Sequence, residues 1–543
     1  MSNFAKRIAS SNARFVFFLV LIVLFSGALR LQYVLKNPTI VHDEAISYLA
    51  ATGNQAAFQE VFDQKTFPYG EWASTADWQK FLQPRGHLIF KKIQTDLGIY
   101  DVHPPLYFWL LHLWVLVVGV HNWAGESLNI LLGVINIVLV SFGARSLLKD
   151  NFKALAVGCI YAFSPGVMSS TILARSYELF TLFSILLLWG CMTLIFSSAP
   201  RRLRLCLLIT LIVFLGLLTH YYFALFSIAS IATYLIYGVW AHQGTKSEFW
   251  RKFVALSVAS AGGLVAMLLA HPWFFQQFFS FGSQGQDFSL VDFFLRLLKI
   301  GLAVAGFFVE VGRRGAPVSS IVLLGLMSLL LIYGLIYSGQ CQFRYPKIAA
   351  MLNPRLRFIL LYAVITFSII SGLYLCFFAH QAVMGPQYIA PLLPLVSLFS
   401  VLFFNKWSHS QKTGILLLCG LIIFSGVLYA NPFKKFQDDL KGPVKESKSI
   451  LIDNARRGIL LVYMMYLPRD KKVYCAMQDD FLEQGGWERG LAGRTLYLSA
   501  LDYGNTEEKR ERLLSRLRQS YDVALTPKGQ WGLWGLGKAY EIR

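Results

Sequence analysis

Apolar runs of bilayer length recur along most of this 543-residue chain, and they constrain its fold more than any other feature. A helix rises 1.5 Å per residue, so crossing a hydrocarbon layer of ~30 Å takes about 20 consecutive apolar residues. Runs that meet or approach this length occupy 15–35, 124–147, 152–170, 177–197, 203–219, 221–241, 253–271, 318–337, 358–378, 388–404 and 413–429. Hydrocarbon offers no water to backbone N–H and C=O groups, so such segments fold as helices. The sequence therefore predicts a polytopic α-helical membrane protein with about eleven spans, thirteen at most. Charged residues make up only 15% of the chain, against about 25% in ordinary globular domains.

The formal net charge of +20 does not imply nucleic-acid binding, because the basic residues fall in short clusters between the apolar runs. That is the pattern of cytosolic loops beside anionic lipid. Lys6, Arg7 and Arg14 precede the first run and place the N-terminus in the cytosol. The first run lacks a small-residue cleavage site and is read as a retained anchor. The basic loops at 201–204, 246–252, 344–357 and 406–412 all face the cytosol only if 106–120 does not cross. At about fifteen residues it is short for a span, so it is expected to be a re-entrant or juxtamembrane helix on the outer face. Seven scattered cysteines form no CxxC and no disulfide framework.

Two loops are long. Residues 36–105 include Phe67, Tyr69, Trp72, Trp78 and Phe81, which predicts interfacial helices with aromatics at headgroup level. Residues 272–317 are dense in Phe and suit an interfacial lid. Beyond 430 the composition turns polar. Strand-like runs at 472–476 and 522–525 and a capped helix at 506–519 predict a small α/β domain on the exoplasmic side. The expected division is a membrane catalytic domain, 1–430, and a C-terminal domain, 431–543.

The residue types that carry chemistry gather near the outer ends of the predicted spans. Asp43 and Glu44 follow the first run directly, with His42 beside them, and Asp101-Val102-His103-Pro104-Pro105 lies where the chain returns to the membrane. Arg30, Arg175 and His220 lie near outer span ends. An intramembrane arginine marks a functional site by default or snorkels to the interface, and both readings stand for Arg30 and Arg175. Outside the cytosol no nucleotide-activated sugar is at hand, so a transferase there takes its donor from lipid. It needs a carboxylate to deprotonate the acceptor, cations for the phosphate leaving group and an apolar groove for the prenyl chain.

These motifs resemble those of the GT-C fold polyprenyl-phosphate-sugar glycosyltransferases, the superfamily of protein O-mannosyltransferases and lipid A aminoarabinose transferases. Arg30, Asn37-Pro38 and Asp43-Glu44-Ala45 are similar to the family's first-span exit and acidic motif. Asp101 to Leu106 resembles its second signature, and Ala174-Arg175-Ser176-Tyr177 its Arg-x-Tyr. His220-Tyr221-Tyr222 and Pro386-Gln387-Tyr388 match more loosely. The resemblance implies Asp43 as general base of an inverting transfer and Glu44 as its partner at the acceptor or a metal. It also implies a donor site that draws on Arg30, His42, His103, Arg175, Tyr177, His220, Gln387 and Tyr388. Gln387 stands where the family often has Arg, and Glu126 where it often has a basic residue, so Arg30 or Arg175 is expected to carry more of the phosphate.

Simpler readings are Pro104-Pro105 as a helix start and His220-Tyr221-Tyr222 as an interface anchor. No cofactor is required by the sequence, and His42, His103 and Glu44 lack the compact spacing of a metal motif. The expected partners are a polyprenyl-phosphate sugar, a lipid, glycan or protein acceptor, and the inner or plasma membrane. The rival reading is a transporter or flippase, whose charges line a path. Repeated halves and midplane breaks, common in transporters, are not evident in the sequence.

Overall fold

The structure, a computed structural model, is described for residues 2–36, 40–196, 202–241, 245–281, 290–308, 353–377, 386–407, 411–430, 443–453, 457–483, 486–491, 493–500, 506–531 and 537–543. It divides into two compact units. One comprises Met1–Val34, Val102–Tyr107 and Glu126–Asn431; the other comprises Leu35–Asp101, Phe108–Gly125 and Pro432–Arg543. The first long loop thus groups with the C-terminal segment, which a boundary at 430/431 was expected to separate from it.

The first unit is a helical bundle. Among the described residues of the chain, six helices are long and apolar enough to cross a membrane: Asn12–Lys36, Ala124–Leu148, Tyr177–Phe196, Lys246–Ala270, Pro354–Leu375 and Lys412–Ala430. The chain is a multi-pass membrane protein. A seventh span is counted if Asn151–Phe163 and Pro165–Thr171, bent by 58°, are taken as one. The run at 152–170 is therefore broken, because Pro165 brings no N–H and fixes its own φ at the start of a new helix. Leu203–Thr219 and Phe223–Val239 are apolar but shorter. In the run at 388–404 a 3-10 turn, Pro386–Leu392, precedes the α-helix Leu393–Trp407. The span expected at 318–337 lies outside the described residues. Within the segment read as a lid, Leu290–Phe308 is instead a 19-residue helix, and Arg296 donates from Nη1 to the Leu375 carbonyl at 2.7 Å.

Leu106–Val118, 13 residues long, reaches only about 20 Å at the helical rise and is too short to cross.

The second unit is built on a mixed six-stranded sheet. Its strands are β1 (Trp72–Ser74), β2 (Ser449–Asp453), β3 (Lys472–Ala476), β4 (Thr495–Ala500), β5 (Val523–Trp531) and β6 (Gly537–Ile542). The spatial order is β1-β3-β2-β4-β6-β5. β2 pairs in parallel with β3 and β4, and the remaining pairs are antiparallel. β2 is buried along its whole length, as a central strand covered on both faces should be. The expected C-terminal helix is present as Glu507–Arg518, with the Thr506 hydroxyl accepting from the Lys509 amide at 3.1 Å. Its apolar face, Leu513, Leu514 and Leu517, is buried.

β1 comes from the first long loop, and Trp72 pairs with Tyr474 of β3. The Tyr69 hydroxyl donates to Asp480, and Lys65 Nζ lies 2.5 Å from the same carboxylate. Three of the loop's five named aromatics form a core, while Phe67 is exposed. Tyr69, Trp78 and Phe81 are buried with Phe58 and Phe62, and Phe58 packs on Phe62 and Phe81 with centroids 5.1 and 5.5 Å apart. Apolar ring area of this size stabilises the loop as a core in its own right, which corrects the interfacial reading for Tyr69, Trp78 and Phe81.

Candidate active site

In the second unit the acidic motif opens the helix His42–Ala51. Val41 is extended (φ −98°, ψ 169°) and forms the N-cap. The Glu44 carboxylate accepts from the Val41 amide at 2.7 Å, the return bond of a capping box. Glu44 is buried, so its first task is to shape the turn. Asp43, by contrast, is 62% exposed, with one oxygen 3.1 Å from His42 Nδ1. It occupies the first helical turn, where unpaired amides and the helix dipole favour a carboxylate. The turn thus separates the two acids: Glu44 is fixed inward, and Asp43 is presented to solvent.

In the first unit the basic residues converge. Arg175 Nη2 lies 2.8 Å from His103 Nε2. Arginine is donor only, so the bond makes Nε2 the bare nitrogen of that imidazole. The Asn129 amide donates to the Arg175 carbonyl at 2.9 Å and also to the Leu173 carbonyl, holding the turn that carries the arginine. Neither arm of this geometry is a snorkelling side chain. Tyr177, buried, has its ring 6.3 Å from His220, which stacks on Phe180 at 4.9 Å and 15°. The Tyr222 amide donates to His220 Nδ1 at 3.2 Å. Burial above all pushes the His220 pKa well below the ordinary histidine value, and the Arg175 guanidinium acts in the same direction. His220 is therefore a neutral ring beside a cation. Pro104 and Pro105 are buried directly before the helix that begins at Leu106, as the simpler reading of these prolines requires.

Arg30 has a different place. It is 1% exposed, and Nη2 donates to the Ala162 carbonyl at 2.7 Å. That carbonyl belongs to the last turn of Asn151–Phe163, where helical acceptors are left open. Among the described residues Arg30 Nε and Nη1 have no hydrogen-bond partner. Close by in charge is Glu178, buried, which accepts from Thr171 Oγ1 and Asn136 Nδ2, both at 2.8 Å. Among the described residues Arg30 does not bond the His103–Arg175 pair, and its Nη2 braces the broken helix at Ala162.

Gln387 is partly exposed and Tyr388 follows it in the 3-10 turn, which packs on Pro165–Thr171 and Tyr177–Phe196. Among the described residues no three His, Cys, Asp or Glu side chains form a metal-binding group.

A family model described as dolichyl-phosphate-mannose-protein mannosyltransferase matches residues 102–286. The structure of ArnT from Cupriavidus metallidurans bound to undecaprenyl phosphate superposes with a TM-score of 0.51 at 11% identity, covering 96% of this chain and 97% of that one. The chain has the GT-C fold. The apo state of the same ArnT gives 0.49 at 11% identity, over 97% and 98% of the two chains. An oligosaccharyltransferase from Archaeoglobus fulgidus in the apo form gives 0.46 at 12%, over 94% and 69%. No curated protein sequence matches. Family model and fold together support a GT-C membrane glycosyltransferase, and His103, Arg175, Tyr177 and His220 all lie inside the matched segment.

Within the GT-C bundle, sequence reasoning missed Asn129, Asn136 and Glu178. Their signal was present: two asparagines seven residues apart share one face of an otherwise apolar helix, and polar groups inside a span mark a site or a brace.

Proposed function

We propose that the protein moves a sugar from a polyprenyl-phosphate-linked donor to a lipid, glycan or protein acceptor on the outer face of the membrane, with inversion at the anomeric carbon. The observation that carries this reading is the bond of Arg175 to His103 beside neutral His220 in the first unit; in the second unit, taken by itself, Asp43 is an exposed carboxylate at a helix N-terminus. Asp43 takes the proton of the acceptor hydroxyl, and that oxygen bonds to the anomeric carbon. The carbon–oxygen bond to phosphate breaks, and the polyprenyl phosphate leaves with its electron pair. The guanidinium of Arg175 offers a planar fork to the phosphate oxygens, and a preorganised cation of this kind stabilises the charge that grows on the leaving group. Glu44 keeps the Asp43 turn in shape. The undecaprenyl phosphate bound to ArnT supports a polyprenyl carrier, and the family description supports a sugar held by lipid phosphate.

The test is purified protein in lipid, supplied with a panel of undecaprenyl-phosphate monosaccharides and envelope acceptors, with turnover and donor affinity measured separately. A general base contributes about 10²–10⁴-fold. Asp43→Asn should lose turnover by that factor and keep its affinity for undecaprenyl phosphate. Near-normal turnover would remove Asp43 as the base.

A further inference from the structure

The Asp43 turn does not stand on its own helix alone. The backbone amide of Ile40, three residues before Asp43, donates to the Tyr466 hydroxyl at 2.5 Å, and Ile40 is 2% exposed. Tyr466 follows the helix Arg457–Met464, which packs on His42–Ala51. The same stretch is gripped from the loop side: Gln79 Nε2 donates to the carbonyls of Met464 and Leu467 at 2.8 and 3.0 Å. A buried amide has to be bonded. The bond chosen here is to a side chain more than 400 residues away in sequence, at the point where the chain enters the catalytic turn. A phenol on a packed ring is a rigid acceptor, with few torsions to hold.

We propose that Tyr466 is a positioning residue for Asp43, and that the C-terminal segment of the second unit thereby sets the direction of the catalytic carboxylate. Glu44 fixes the amide at Val41 from within the helix. Tyr466 fixes the preceding amide from outside it. The two bonds together leave the backbone from 40 to 44 one course, and Asp43 is held where it meets the acceptor hydroxyl. The inference rests on Asp43 being the base. Displacing a reacting group by about 1 Å costs on the order of 100-fold in rate, so loss of one of the two bonds should register in turnover before it registers in folding.

Tyr466→Phe removes one oxygen and keeps the ring. It should lower kcat by about 10- to 100-fold, with affinity for undecaprenyl phosphate unchanged and amide exchange across residues 40–47 accelerated. Gln79→Met, which loosens the Tyr466 turn from the other side, should lower kcat in the same direction. In the Asp43→Asn background Tyr466→Phe should cost nothing further, because there is no base left to misplace. A slow Asp43→Asn beside a Tyr466→Phe of normal kcat and normal exchange would overturn this inference alone, as would independent, multiplying losses in the double variant. Near-normal turnover in Asp43→Asn would overturn the base assignment and the inference with it.

Discussion

Arg30 and Glu178 place two buried charges inside the helical bundle, and their interdependence is measurable. Arg30→Met removes the charge-assisted bond to the Ala162 carbonyl, about 1.5–3 kcal/mol, and leaves Glu178 without the nearby cation. Among the described residues the two side chains form no ion pair, so their coupling acts through space and adds about 1 kcal/mol. The expected net cost is about 3 kcal/mol. Glu178→Gln keeps the shape but turns one oxygen of a carboxylate that accepts from Thr171 and Asn136 into a donor, and about 2–3 kcal/mol should follow. The double variant removes both groups together and should cost about 1 kcal/mol less than the sum. Equilibrium unfolding in mixed micelles gives the three values. Additivity within about 0.5 kcal/mol would refute the coupling and make Arg30 a brace for Ala162 alone.

Arg175→Ala should weaken undecaprenyl-phosphate binding, and Arg175→Lys should recover it only in part, since lysine lacks the planar fork; titration of the lipid phosphate into purified variants measures both. For His220 the folded pKa lies below its unfolded value near 6.5. The unfolded chain takes up the proton first, so this contribution to stability is complete above about pH 6.5 and is lost as the pH falls toward the folded value. His220→Phe should flatten the acid side of the stability profile, and a profile unchanged below pH 6 would count against a neutral ring.

Much of the membrane fold was legible because hydropathy at bilayer length has one helical answer. The break at Ser164-Pro165 was written in the proline, yet a continuous span over 152–170 was expected from length alone. His103 and Arg175 were each named from motif order, and only the structure shows that they bond one another. Glu44 could not be told from Asp43 by residue type. Only the capping geometry separates an acid that shapes a turn from one that faces solvent. Tyr69, Trp78 and Phe81 were misread for a related reason: rings at an interface and rings in a core have the same composition, and what decided between them was packing on Phe58 and Phe62 of the same loop. Arg30 was legible as special and not as a helix brace, since its acceptor is a backbone carbonyl that no sequence motif announces.

The edge strand β1 pairs with β3 across about 400 residues of intervening chain. Synthesis at about 5–20 residues per second separates their emergence by roughly 20–80 s. Through that interval the first loop has no sheet to join, Asp480 has not arrived for Tyr69, and the amide of Ile40 has no phenol. Pairings this distant are slow to form and late to reward the chain. On the proposed mechanism a chain that stops near residue 430 lacks both β3 and Tyr466 and should show no turnover, so incomplete copies in the membrane should leave the donor unspent.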